Sequence, residues 1–325
     1  LIMKKNIILL LGLIIYYNSF SQSNSTQINS AQQINDFKSI IEAYISPLGN
    51  SLGAGLNNGW YNTAKPHKLG GFDVTLTTNF VLINNDVKTF VIDDVIEDAN
   101  SSIFQGGEVS TVVGNESGNV AVNGASYKML DGFNIPAVPL PILQAGIGLF
   151  KSTELTFRYI PELKIGNAGK VGLLGFGIKH DILQWLPIVD KIPIDISLQG
   201  GYTKLGSEIE LIDPNGYIPD PTKSNLDVSA TTINLLISKK LLMFTPYLGL
   251  GYSSTKTTFS ATGKYQLGDV YVPVNLIEEG FVFESNNKMR ANIGFRFNIT
   301  ILALQANYTF SEYPVATIGV GLSVR

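Results

Sequence analysis

Two-residue alternation of apolar and polar side chains dominates this chain. From Lys288 to Ile299 the even positions are Lys288, Arg290, Asn292, Gly294, Arg296 and Asn298, all polar or glycine, while every odd position is apolar. Leu302, Leu304, Ala306, Tyr308 and Phe310 oppose Ala303, Gln305, Asn307 and Thr309, and Ala316 to Val324 oppose Thr317 to Ser323 in the same way. This period puts each set on its own face of a β-strand. Comparable ribbons occupy 72–83, 142–150, 153–160 and 194–204, with less regular ones at 170–180, 228–238 and 242–252. Leu173-Leu174 slips phase as a bulge would, and Pro246 marks an irregular strand end. The ribbons run to about 9–12 residues, enough for a tilted strand to cross a bilayer, whereas soluble strands average roughly 5–6. Length therefore predicts an all-β fold, a transmembrane antiparallel β-barrel with lipid on its apolar face and a polar lumen.

A topology follows from the connections. With strand 315–324 running downward, the tight turns at Lys151-Ser152, Lys239-Lys240 and Ile299-Thr300 fall on the periplasmic side, and the long connections 205–227 and 253–287 fall outside. Strand 72–83 then runs upward, so an even number of spans lies within 84–141. Candidates at 87–93 and 119–128 give twelve strands, within a range of ten to fourteen. Gly106-Gly107, Pro136, Pro139 and Pro141 read as turn chemistry.

Before the barrel (67–325) come two other segments. Lys4-Lys5, the apolar run Ile7 to Tyr17, and Ser19 and Ser21 have the layout of a cleaved signal peptide over 1–21. Within 22–66, Ile34, Phe37, Ile40, Ile41, Tyr44, Ile45 and Leu48 keep helical spacing, with Ser30 or Asn35 as cap and Pro47 and Gly49 as stop. This segment is either a lumen plug or a periplasmic helix leaning on the barrel base. As a plug it would act through Phe37, Ile41, Tyr44 and Trp60.

Composition narrows the chemistry. The 325 residues carry 23 Lys+Arg against 26 Asp+Glu and only 15% charged side chains, which excludes disorder and gives no basic excess for nucleic acid. Cysteine is absent and histidine occurs twice, so no metal centre and no cofactor are expected. His180-Asp181 is the best acid–base candidate, but neighbours on a strand point to opposite faces, so no enzyme is expected. Asp93, Asp94, Glu97 and Asp98 read as a solvated turn rather than a calcium loop, and Asp213, Asn215 and Asp220 as an external turn. His67, in a basic stretch, faces lipid phosphate or the plug. Trp185 suits a short interfacial helix in 181–193. By parity, Asp73, Glu154, Arg158, Asp195, Arg290 and Arg296 share the lumen face; three of each sign suggest internal pairs that fill and stiffen a narrow barrel, the other reading being that they grip a plug or line a solute path.

The stretch AYISPLGNSLGAGLNNGWYNTAKPHKLGGFD (Ala43 to Asp73) and the later KHDILQWLP (Lys179 to Pro187) resemble an uncharacterised family of outer-membrane proteins from Bacteroidota. The resemblance implies a barrel in the outer membrane of a Gram-negative bacterium and no assigned activity. In layout the chain is also similar to FadL-like fatty-acid transporters, although Ser46-Pro47-Leu48-Gly49 is only a loose counterpart of their Asn-Pro-Ala signature. That likeness implies a plugged barrel passing a small hydrophobic solute, with outer-membrane lipid as surroundings. The alternative is a structural or surface-binding barrel acting through its outer loops.

Overall fold

A computed structural model describes residues 31–98, 102–164, 169–185, 193–211, 222–262, 265–267, 270–272, 281–285 and 289–324. The expected signal peptide and the Asp213–Asp220 turn lie outside the described residues. Ten long strands form the barrel: β1 (Phe72–Leu82), β2 (Ala137–Leu149), β3 (Thr153–Lys164), β4 (Lys170–Asp181), β5 (Asp195–Leu211), β6 (Thr222–Ser238), β7 (Phe244–Thr262), β8 (Met289–Ile299), β9 (Leu302–Phe310) and β10 (Val315–Val324). Each pairs antiparallel with its neighbours in sequence, and β10 returns to β1 with Phe72 opposite Val324. The ring of paired strands is thus closed, as a barrel in lipid requires. Short turns at 150–152, 239–243 and 300–301 define a lower end. At the first of them Lys151 and Ser152 both have positive φ, as a two-residue hairpin requires.

The faces explain the alternation. Around the lower barrel, outward positions such as Leu76, Ile147, Phe176, Leu198, Leu248 and Ile293 are apolar and exposed. The inward residues beside them, among them Thr77, Gln144, Thr156, Gln199 and Asn292, are polar and buried. Higher up, the arrangement reverses. In β6 the inward side changes from Thr232 and Asn234 to Leu226 and Val228, while the outward side changes from Ile233 and Leu235 to Asp227 and Ser229. The long strands thus rise past the apolar belt and become polar outside and apolar within. Leu248→Arg, inside the belt, should cost about 2–4 kcal/mol of folding into lipid, whereas Thr258→Arg, on the same face of β7 above it, should cost near nothing. Denaturant titration in liposomes checks this, and equal costs would refute the boundary.

Ten strands replace the twelve expected. The candidates 87–93 and 119–128 contribute only short pieces (Thr89–Val91, Asn119–Val122 and Ala125–Lys128) that pair within an insert between β1 and β2. Three or four residues do not reach across a bilayer. Pro139 and Pro141 belong to β2 rather than to a loop. Pairing with β3 begins only at Gln144, so at their height one edge of β2 is unpaired and a missing N–H costs no ladder bond. The expected bulge at Leu173-Leu174 is not there either. Leu173 points in and Leu174 out, and the register shifts instead on the partner strand, between Ile160 and Leu163. Much of the expected outer loops 205–227 and 253–287 is strand that continues above the belt.

Among the described residues, one long helix, α1 (Ala31–Leu56), precedes the barrel. It passes Pro47 and Gly49, which were expected to end it, and Asn35 lies inside it rather than capping it. Pro47 withholds one N–H from the helix ladder. Close by, the Tyr44 carbonyl accepts the Val112 N–H of the insert at 3.0 Å. Packing on both sides of the proline holds the helix together. Phe37, Ile40, Tyr44 and Leu48 join Ile92, Phe104, Val109, Val113 and Val122 of the insert and Leu140, Leu226, Val228 and Phe259 of the barrel mouth in one apolar core. Burial, with Asp131 nearby, holds the Tyr44 phenol well above its usual range, and it donates to the Asp131 carbonyl.

Candidate functional site: a lumen closed by the chain itself

From the end of α1 the chain descends through the barrel. Gly53 lies against Thr255 in the upper part, Gly59 against Thr77 and Asn79, and Trp60 against Gly177 and Gly201. Lower down, Thr63 meets Ser238, Ala64 meets Ser197, and Gly71 meets the Val324 carbonyl at the lower rim. Residues 54–67 thus lie within the lumen against its wall, and are called the plug below. The wall is shaped to admit it. Gly177 and Gly201 face each other across β4 and β5, and a Cβ on either would come within 2.9 Å of the Trp60 ring. Gly249 makes the same allowance for Tyr61, which packs edge-on against Tyr247 at 5.9 Å.

Of the expected plug residues, Trp60 alone sits in the lumen. Phe37 and Tyr44 are buried above it against the insert, and Ile41 is half-buried there. Glycine on the lumen face, at Gly177 and Gly201, is the sequence signal that could have located the Trp60 seat, since nothing in the strand alternation requires it.

Among the described contacts, the six lumen candidates meet the plug and other wall residues rather than the internal pairs expected from their signs. The arginines bind the plug. Arg158 donates to the carbonyls of Leu56 (2.6 Å) and Asn58 (2.7 Å) and to Gln144 Oε1, and its guanidinium lies 3.5 Å from the Trp60 ring centroid. Arg290 donates to the Asn57 carbonyl (2.8 Å) and Asn58 Oδ1 (2.6 Å), and Arg296 to Asn62 Oδ1 (2.6 Å) and Asn298 Oδ1. The carboxylates take other partners. Glu154 pairs with Lys179 at 2.9 Å and accepts the His67 N–H, Asp73 pairs with His67 at 3.2 Å, and Asp195 meets Lys65 at the rim. His67 is 1% exposed, so it does not meet lipid phosphate. Sequence parity places the acids and arginines on one face, but their plug partners come from a segment with no periodic signal, while Lys179, Gln144 and Asn298 lie on the wall.

The pair Glu154–Lys179 is buried on both sides. Removing one charge should cost about 3–5 kcal/mol because the other stays buried alone. Glu154→Gln is therefore expected to destabilise the barrel more than Glu154→Gln with Lys179→Met, measured by thermal unfolding in detergent. Equal losses would mean that the two side chains do not depend on each other.

His180 and Asp181 serve separate local contacts. His180 lies 2.9 Å from Thr153 Oγ1 through Nδ1 and accepts the Trp185 indole N–H, while Asp181 accepts the Leu183 N–H. The interfacial helix expected around Trp185 is a single turn, Leu183–Trp185, among the described residues. Asp93 accepts the Gly106 N–H in an exposed turn of the insert.

Residues 3–324 match the model of a family described as of unknown function, DUF6588. No curated protein matches the sequence. Among solved structures, the translocator domain of the autotransporter NalP from Neisseria meningitidis aligns at 11% identity and a TM-score of 0.32, covering 91% of this chain and all of that one. Ail, the attachment invasion locus protein of Yersinia pestis, in complex with a heparin analogue, aligns at 9% identity and 0.28, covering 78% and 97%. The toluene transporter TbuX of Ralstonia pickettii aligns at 6% and 0.23, covering 78% and 88%. Likenesses this slight carry no argument about activity.

Proposed function

The chain belongs to DUF6588, a family without an assigned activity, and for it we propose gated passive passage of a small polar solute across the outer membrane. The apolar belt, the closed ring and the polar lumen support that location. One observation carries the passage reading: the space inside the barrel is filled by residues 54–67 together with the wall side chains that hold them, and not by the wall alone. A small barrel that serves only as a scaffold is filled by the side chains of its own strands. Here small wall residues, Gly177, Gly201, Gly249, Thr77 and Ser197, make room for the plug between the larger polar side chains that bind it. The hydrophobic solute suggested by layout finds no support in the lower lumen, where the described wall residues are mainly polar.

Planar-bilayer recording tests the reading. The full-length chain is expected to stay closed for most of the record. Asn58→Gly with Trp60→Ala, which removes the plug's hydrogen-bonding hub and its ring, is expected to open discrete conductances. A folded, heat-modifiable variant that remains silent would overturn the reading. That result would favour a surface-binding barrel, whose working part would be the ordered insert packed on α1 at the outer mouth.

A further inference from the structure

We propose that Arg158 and Arg290 form an anion-binding site at the waist of the barrel, one that the plug's own oxygens occupy in the closed state. The site's solute class is small carboxylate- or phosphate-bearing anions. This assignment rests on the passage reading above and adds to it the chemistry of what passes.

The argument starts from burial. Arg158 is fully buried and Arg290 nearly so, yet the oxygens described against them belong to no carboxylate: three backbone carbonyls, the amide oxygens of Gln144 and Asn58, and the Tyr61 phenol beside Arg290. Lower in the same lumen the barrel solves the equivalent problem differently, setting Glu154 against Lys179. A guanidinium taken out of water is normally matched by a carboxylate, because neutral acceptors recover less of the lost hydration. Both arginines converge on one short stretch, 56–58, and both bind Asn58, Arg158 through its carbonyl and Arg290 through its amide oxygen. Their forks thus hold a cluster of oxygens in the way they would hold a carboxylate or phosphate. The Tyr61 phenol of the plug lies beside the Arg290 guanidinium as a further neutral neighbour, so no carboxylate is described against this fork either. The plug oxygens carry only partial charge, and an anion in their place makes stronger, charge-assisted bonds. An anion arriving from the mouth therefore competes with residues 56–58 and favours the open arrangement, a shift set by its differential affinity for the two states.

Trp60 reports on this site because Arg158 stacks on its ring. With Trp185→Phe, the full chain keeps Trp60 as its single tryptophan. Titrating that protein in detergent with potassium pyrophosphate, against potassium chloride at equal ionic strength, is expected to give a saturable red shift of Trp60 emission with pyrophosphate alone. Arg290→Gln, which leaves the Trp60 stack in place, is expected to weaken the midpoint at least tenfold. No saturable response, an equal response to chloride, or an unchanged midpoint in Arg290→Gln would overturn the anion site. The bilayer measurement separates the two readings. Open channels without a pyrophosphate response would leave passage standing and remove the anion site. A pyrophosphate response in a barrel that never conducts would leave the anion site and remove passage.

Discussion

An epitope inserted between Gln22 and Ser23 should be labelled by antibody on intact cells, and one appended after Arg325 only after permeabilisation. The reason is the path of the plug. The first half of α1 packs on the insert that hangs from the upper ends of β1 and β2, with Ser102 donating to Asp36 at 2.6 Å and Phe37 beside Phe104. The plug then runs the whole height of the lumen before β1 begins at the lower rim. Both ends of the folded chain do not share a side: Ala31 is at the long-connection end and Val324 at the short-turn end. With short turns facing the periplasm, the start of α1 faces outward. Labelling is expected at the level of a loop-inserted epitope for the first tag and at background for the second. The reverse pattern would invert the barrel, and labelling of neither would place the N-terminal segment beneath it.

Gly201→Val should expel the plug's aromatic anchor. A Cβ at this position would lie 2.5 Å from Trp60 Cε2, and Gly177 on the adjacent strand closes the other side of the seat, so the ring has no room to slide. Losing a buried tryptophan's packing costs about 3–5 kcal/mol, and its cation–π contact with Arg158 adds about 1–2 kcal/mol. In a Trp185→Phe background the expected readout is a red-shifted, quencher-accessible Trp60 emission with the barrel still closed by its strands. Unchanged emission would mean that the seat accommodates the extra methyl groups and that the glycines are not there for Trp60. Gly200→Val, the next residue along and facing away from the ring, is the matched control, since a Cβ there meets nothing closer than 3.9 Å.

Strand alternation in the sequence alone determined the barrel, the lipid-facing side of each ribbon, and the burial of Asp73, Glu154, Arg158, Arg290 and Arg296 inside it. Those properties are local: a two-residue period assigns a face wherever the chain is extended, and lipid demands apolar side chains on that face. Only the tertiary structure decided the rest. Ten strands rather than twelve depended on an insert that pairs with itself. Leu173 imitated a phase slip because β4 rises out of the belt into an apolar mouth, where the inward side reverses its polarity. The continuation of α1 past Pro47 rests on partners far along the chain, which offset the lost hydrogen bond. Arg158 and Arg290 found carbonyls of 56–58, since a backbone oxygen has no signature in composition and its position is fixed only when the plug threads the closed ring.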